Sequence, residues 1–598
     1  MSKRSKKLIR YTDREFNTIK ESLVNYTKRY YPDIYRDFSE ASFGSLMLDT
    51  VSYVGDVLSF YLDYQVNESF IDTATEYDNV LRLGEQVGYY PQLKSPSFGI
   101  VSLYLMVPSS PNGAGPDTDY LPIIAKGSKY STPAGDTYEL LEDVDFSNPN
   151  NEVVAGTEDA GGTATSFIVK TYGKVMSGEL REQNINVGDF SRFLTVSLSG
   201  DNITEIVSVT DTEGHEYFEV PFLSHDTIFK TVVNKDPVTR INAPSILVTT
   251  SVPRRFISFV RDQKVHLKFG HGSESALKTD NTTHPSNVVL KMHGRDYETD
   301  DGFDPSKLLQ NDKFGIAPAN TVLNVVYRTN TSDNSNTATN TITFVGDQTF
   351  IFPESALSSN KIDFVRGSLE VTNEKPIVGD VSSPTTNELK QRINDLFATQ
   401  NRAVTEDDYR SLIYRMPAKL GKIKRAKIVR DQDSFKRNLN LYIVSEDRDR
   451  NLIESSDVIK NNIKTFLQHY KMVNDTIDIL DARVVNIGIE FVAVINPDQD
   501  KYEALSAAIK TLKNEMFSEK YDIGQPIYIT NIYDLLNNLD EIVDVVDVRV
   551  VPKATGLYSD YSLNINEYVS ADGRILHAPE NVIYEIKYPN RDIKGTIR

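Results

Sequence analysis

The chain has 598 residues, a formal charge of −19, 39% hydrophobic and 25% charged residues, and neither cysteine nor tryptophan. This is ordinary globular composition, and it excludes disulfides, thiolate chemistry and Cys-ligated zinc while its acidity argues against a nucleic-acid coat. At roughly 150 residues per domain the length allows about four domains, and no run of about 18 apolar residues exists to span a membrane.

The first residues, MSKRSKKLIRYTDREF, begin like the basic region of a signal peptide. No apolar stretch follows, so no secretory signal is expected. Sequons such as Asn281-Thr282-Thr283 then read as chance matches, and the absence of cysteine fits assembly in a reducing cytoplasm.

Through about residue 95 the pattern is helical. Phe43, Leu46, Met47, Val51, Val54, Leu58, Tyr61 and Leu62 follow i, i+3, i+4 spacing, with Ser39 or Ser42 able to cap the start. Asp72-Thr73-Ala74-Thr75 breaks the pattern, and Thr73 or Thr75 can cap a second helix carrying Tyr77, Val80, Leu81, Gly84 and Val87 on one stripe. Gly88 supplies a left-handed stop and Pro91 bars continuation. The expectation is an αα-hairpin.

From about 96 to 385 short alternating runs such as IVSLYLMV, RFLTVSLSG and NTITFVG are separated by Gly, Pro, Asn, Asp and Ser. They read as antiparallel β-structure. Two polar stretches, near 108–122 and 328–340, read as surface loops or contact arms.

From about 386 the helical period returns. Thr386-Asn387-Glu388-Leu389 opens one helix, and Thr405 is placed to cap another over Glu406-Asp407-Asp408. Strands at KIKRAKIVR and LNLYIVS, a helix near 454–471, strands over 475–495, helices near 502–517 and 530–539, and the strand EIVDVVDVRVV follow. This is the order of a split βαβ unit. Residues 553–598 read as a Tyr-rich β tail. The fold class expected is multidomain α+β in four segments: a helical segment 1–95, a β-rich middle 96–385, an α+β region 386–552 and a β tail 553–598.

Several stretches, in order along the chain, resemble the baseplate J-like proteins of contractile phage tails. They are Val66-Asn67-Glu68 through Thr75, Leu81-Arg82-Leu83-Gly84, and Val87-Gly88-Tyr89-Tyr90-Pro91. Further on, Lys268-Phe269-Gly270-His271-Gly272 is similar to the family's Phe-Gly-Asp-Gly turn, with His271 in place of the acid. Asn401 through Tyr409 resembles the opening of the C-terminal half, and Ile523-Gly524-Gln525-Pro526-Ile527 the loop before the last helix. Ser570 through Ile575 and Tyr584 through Pro589 resemble the tail of the wedge subunit of T-even-like phages. The resemblance implies a structural virion protein that pairs with copies of itself through its C-terminal region. Its N-terminal helices would join a bundle with a second copy and other wedge proteins. Such dimers would form a ring about the tail tube that rearranges when the sheath contracts.

The residues themselves leave two readings of the first apolar helix. The second helix and the β-region could cover it; alternatively, because Tyr53, Phe60 and Tyr64 widen the stripe, it could need helices from other chains. The residues nominated for that contact are Phe43, Leu46, Met47, Val54, Leu58 and Tyr61. Linkers near 95 (KSPS) and 380–386 (SSPTT) have hinge composition.

Two basic groups stand out. One is at the N-terminus (Lys3, Arg4, Lys6, Lys7, Arg10). The other, Arg415, Lys419, Lys422, Lys424, Arg425, Lys427 and Arg430, is either a solvated strand edge or a patch for an acidic partner.

No constellation argues for catalysis. His266, His271, His284 and His293 match no zinc spacing. Asp300, Asp301, Gly302 and Asp304, like Asp447, Asp449 and Asn451, lack the glycine and distal glutamate of a calcium loop. Gly161-Gly162 lacks the Lys-Ser/Thr of a phosphate loop. No catalytic residue, metal ligand or cofactor is nominated, and neither nucleic acid nor membrane insertion is expected. The alternative reading is a carbohydrate-binding or carbohydrate-cleaving virion protein, given the β-rich middle and many tyrosines; the lack of tryptophan counts against it.

Overall fold

The computed structural model describes residues 15–32, 42–111, 115–159, 164–233, 245–261, 264–273, 314–353, 358–399, 402–431, 438–495, 499–516 and 520–598. Outside these lie the basic N-terminus, Ser39, Gly161-Gly162, His284, His293, the 300–304 acidic turn and Asn401. The chain forms two compact units: Met1–Pro91 with Ser383–Arg402, and Gln92–Ser382 with Ala403–Arg598.

The first unit is helical: α1 (Phe16–Tyr30), α2 (Phe43–Glu68), α3 (Tyr77–Val87) and α4 (Thr386–Thr399). Helix α2 begins at Ser42, whose hydroxyl accepts from the Ser45 amide at 3.1 Å. The hairpin is built from α1 and α2: Ile19 sits over Gly55, and Lys20 pairs with Asp49 at 2.7 Å. Helix α3 ends as expected at Gly88, with φ of 93°. It does not fold back along α2 but packs on α4. Gly84 makes room for this contact: a Cβ there would stand 2.7 Å from Ile393 Cδ1. Ala74, Val80, Leu389 and Ile393 form the small core of this unit. The segment read from 386 onward with the C-terminal region therefore gives its first helix to the N-terminal unit.

The expected caps of α3 are replaced. Its N-cap is Glu76, without a side-chain bond, while the Thr75 hydroxyl donates to Glu68 Oε1 at 2.6 Å and the Thr73 hydroxyl to the Asn67 carbonyl at 2.7 Å. Glu68 does the capping from the preceding helix. Its carboxylate also accepts from the Thr75 amide at 2.7 Å, the Glu76 amide at 3.3 Å and Asn79 Nδ2 at 3.0 Å.

The second unit is β-rich. One seven-stranded sheet is built on the antiparallel pair Phe98–Pro108 and Ser166–Ser177, over a core containing Leu103, Leu105, Tyr130, Tyr138 and Val169. Another seven-stranded sheet has Glu179–Val187 at one edge and Thr195–Ser197 at the other, over Val209, Phe256, Leu267, Phe269 and Val325. Beyond residue 402, Thr405 and Asp408 form the capping box of the helix Glu406–Tyr414. The strand–helix–strand order is the expected one, but it divides between two sheets. Asn438–Glu446 pairs in parallel with Thr476–Asp481, crossing through the helix Asp457–Leu467. Arg483–Ile495 then starts a second four-stranded sheet with Ile542–Lys553, Val582–Glu585 and Ile593–Ile597. The tail strands run parallel to Arg483–Ile495, whose Val485, Ile487, Ile489, Phe491 and Ala493 alternate along the strand and are all buried on one face.

Two sequence expectations need correction in this unit. The polar stretch 328–340 is a surface loop only in part: Thr331, Asp333 and residues 338–340 are exposed, but Asn330, Ser335, Asn336 and Thr337 are buried. Asn336 donates from Nδ2 to the carbonyls of Asp380 at 2.7 Å and Glu446 at 2.9 Å. Its Oδ1 accepts from the Asp380 amide at 3.0 Å and from the Ser97 hydroxyl at 2.7 Å. Fully paired polar groups are stable inside a protein, and here they stitch three remote segments together. For the same reason KSPS is no free linker: Ser95 and Ser97 are buried, and Ser97 N donates to Ser177 Oγ at 2.8 Å. Ser382, at the start of SSPTT, is likewise held, its amide and hydroxyl bonded to Glu446 at 2.8 and 2.9 Å.

Candidate partner-binding surface

Helix α2 wears its residues inside out. The six nominated side chains, Phe43, Leu46, Met47, Val54, Leu58 and Tyr61, are each between 50 and 75% exposed, and Val51, Tyr53, Phe60 and Leu62 are exposed with them. The side chains that α2 buries are Ser45, Ser52, Ser59, Asn67 and Glu68. Ser45, Ser52 and Ser59 recur every seven residues, so they lie along one line of the helix, and the Ser52 hydroxyl bonds back to the Leu48 carbonyl at 2.7 Å. Helix α1 adds no buried residue of its own and exposes Tyr26, Tyr30 and Tyr31, with Tyr26 and Tyr30 ring centroids 4.6 Å apart. A two-helix hairpin joined across a small polar seam leaves its large apolar side chains outward. At its far end Phe60 stacks on Tyr64 at 6.3 Å, and the Tyr64 hydroxyl donates to Glu76 Oε1 at 3.0 Å.

The Phe269-Gly270-His271-Gly272 turn is a crossing of backbones. A Cβ on Gly270 would stand 2.0 Å from the Gly315 carbonyl oxygen, so only glycine fits. Gly272 N donates to that same oxygen at 2.9 Å, and His271 packs on Phe193 at 5.3 Å. His266 stacks on Phe259 at 5.4 Å. The turn at Asp447 to Asn451 closes on itself, the Asn451 amide donating to Asp447 Oδ1 at 2.8 Å with Arg450 at φ 64°. Among the described residues no group of His, Asp and Glu is placed to hold a metal ion, and no helix is long and apolar enough to cross a membrane.

The second basic cluster does not hold together as one solvated edge or patch: Lys419 and Arg430 are exposed and Arg415, Lys422 and Lys427 half-buried, but two members are interior. Lys424 is buried against Glu446 at 3.2 Å and reaches Ser382 Oγ at 2.6 Å. Arg425 is buried too, pairing with Asp522 at 2.9 Å, and Lys422 donates to the Leu93 carbonyl at 2.9 Å. Burial raises the Glu446 carboxyl, but the Lys424 ammonium and the Ser382 donors outweigh it and hold the group below its ordinary value. Burial pushes Asp380 the other way, above its ordinary value. Nothing in the sequence marks Glu446 as the partner of Lys424; the two are brought together by strand pairing.

Residues 15–86 match a family model described as the N-terminal domain of bacteriophage baseplate proteins. The match spans α1, α2 and all but the last residue of α3. It supports a structural role in a baseplate. No curated protein matches the chain. Two solved structures are similar. The first is a chain of the anti-feeding prophage baseplate, determined by cryo-electron microscopy and 6-fold symmetrised, with 11% identity, 96% of this chain and 99% of that one covered, and a TM-score of 0.24. The second belongs to the TssK-TssF-TssG baseplate subcomplex of the type VI secretion system, with 10% identity, 72% and 96% covered, and a TM-score of 0.24. At these scores neither likeness establishes a shared fold.

Proposed function

We propose that this chain is a structural wedge subunit of a contractile phage-tail baseplate, similar to the J-like proteins and to the T-even wedge subunit. Its N-terminal helices complete a bundle with a second copy and with other wedge proteins. Its C-terminal region, 386–552, pairs with its counterpart, and the two kinds of contact alternate to close a ring about the tail tube. That ring rearranges on sheath contraction. The chain does not turn over a substrate; it works by being packed, inside the virion, after assembly in the host cytoplasm.

One observation carries the reading: the apolar side of α2, within the segment that matches the baseplate N-terminal domain, is exposed while its serines are buried. Each such side chain gains roughly 2 kcal/mol on full burial, so a bundle that covers six of them has ample driving force to offset the ordering of its helices. Self-association through the C-terminal region is supported by the strand Ile542–Lys553. It pairs with Arg483–Ile495 on one side, ends its sheet, and exposes Val543 and Val546. Among the described residues no strand pairs with its outer edge, although the Val548 amide there donates to the Tyr533 hydroxyl at 3.0 Å, and an edge without a strand partner is a template for a second chain.

Mass photometry of the full chain, alone and mixed with the other wedge proteins of its virion, tests the proposal. The expected result is dimers alone and larger complexes in the mixture. A strict monomer that ignores every candidate partner ends it.

A further inference from the structure

The terminal sheet carries a cleft that the assembly reading does not use. It has a volume of about 470 Å³ and lies where Leu557, the loop Lys587–Tyr588 and the turn Pro589–Arg591 meet Lys513. Three cations surround it. Lys587 Nζ donates to the Leu557 carbonyl at 2.7 Å, Lys513 Nζ to Asn590 Oδ1 at 3.4 Å, and the Arg591 guanidinium lies 6.0 Å from the Tyr558 ring centroid. Among the described residues no carboxylate comes within ion-pairing distance of Lys513, Lys587 or Arg591, in a chain whose acids outnumber its bases by 84 to 65. The nearest acid along the chain, Asp592, is buried and already engaged: it accepts from the Tyr558 hydroxyl at 2.5 Å and the Tyr588 amide at 2.9 Å.

Charge is half of the argument and the floor is the other half. Leu557 is 60% exposed, and Pro589 with the Tyr588 ring extends this apolar surface between the cations. Inorganic anions need no such floor. An extended peptide does, because alternate side chains point to opposite sides, letting carboxylates reach the cations while an apolar neighbour covers Leu557. The formal charge of −19 opposes a long polyanion such as nucleic acid, whose whole length would feel that field. We infer that this cleft is a docking site for an acidic peptide segment of another protein chain, two or more carboxylates flanking an apolar residue. The occupant recognises Lys513, Lys587 and Arg591 by charge and Leu557 by burial.

The test uses the full chain and fluorescence anisotropy of a labelled, end-blocked pentapeptide, Asp-Glu-Ile-Val-Asp. Saturable binding that weakens with added salt is expected, reduced about tenfold or more by K587E/R591E and about threefold by K513E. Lys513 lies on a different element from the other two, so K513E reports on the cleft even where the double variant disturbs the turn. The inference is overturned by no saturable binding, by equal binding to wild type and K513E, by complete displacement with equimolar inorganic phosphate, or by tighter binding of a labelled oligothymidylate.

Discussion

The stretch around Asn336 and the outer face of α2 break the usual placement of residues in opposite senses. The first is among the most polar segments of the chain and buries Ser335, Asn336 and Thr337; the second is among the most apolar and stands in the open. The difference lies in whether each group has found its partner. Asn336 meets two carbonyls, an amide and a hydroxyl within the same unit, so nothing polar is left unsatisfied when water leaves. Phe43, Leu46, Met47, Val54, Leu58 and Tyr61 have no comparable cover among the described residues, and α2 spends its buried side on serines. Burial here follows from partners, and partners do not have to come from the same chain.

The comparison breaks most visibly at Asn336. Asn336→Leu keeps the branched skeleton and removes the bonds, stranding the Glu446 carbonyl and the Asp380 amide in the interior. With each stranded group costing about 1–3 kcal/mol, a loss of about 3–5 kcal/mol is expected, read as a lower denaturation midpoint in urea. A variant as stable as the wild type would mean that the seam is hydrophobic in effect, and the contrast with α2 would dissolve.

Such pairings explain what could and could not be read from the sequence. Helix α2, the Gly88 stop and the Thr405 cap are legible because their signals lie within a few residues of one another. So is the order of strands and helices beyond 402. The seam is not: Asn336 bonds to residues 44 and 110 positions away, and a polar run looks the same whether its partners are water or backbone. Lys424 was legible as a charge and illegible as an interior one, since Glu446 reaches it only through strand pairing. The docking of α3 on α4 joins segments some 300 residues apart through Gly84 and Ile393, which no local pattern announces. For the candidate surface, the apolar stripe was readable; that its opposite face is a serine line closed against α1 was present in the spacing 45, 52, 59 but only the structure gives it meaning.

An intermediate effect is expected at Glu68, where a charge is buried and satisfied. Burial raises this carboxyl, but the bonds from Thr75, Asn79 and the Thr75 and Glu76 amides win and hold it below its ordinary value. A group depressed in the folded state stabilises above its unfolded pKa, and that contribution is lost as pH falls through the folded one. The helical unit is therefore expected to loosen on acidification below the ordinary carboxylate range. Glu68→Gln keeps the shape, removes the charge, costs about 1–2 kcal/mol at neutral pH, and flattens this acid limb. Circular dichroism at the helical minimum, followed against pH for both proteins, measures it. An unchanged acid limb in Glu68→Gln would show that another carboxylate governs it.

The smallest effect on the isolated chain is expected where the residues are largest. Replacing Leu46, Leu58 and Tyr61 together by serine removes three bulky groups from α2, yet each is more than half exposed. Surface changes of this kind typically alter stability by no more than about 0.5 kcal/mol each, and the urea midpoint of the chain alone should hardly move. Assembly should respond differently, because truncating a side chain at the centre of a helical interface costs about 1–2 kcal/mol or more apiece. The triple variant should then fail to enter the complexes proposed above for the wild type, while keeping its far-ultraviolet spectrum. The informative failure is the reverse pattern: a variant that melts early but assembles normally. That would mean the apolar side of α2 is closed within its own chain and supports only its fold, leaving the baseplate role to be carried by some other surface.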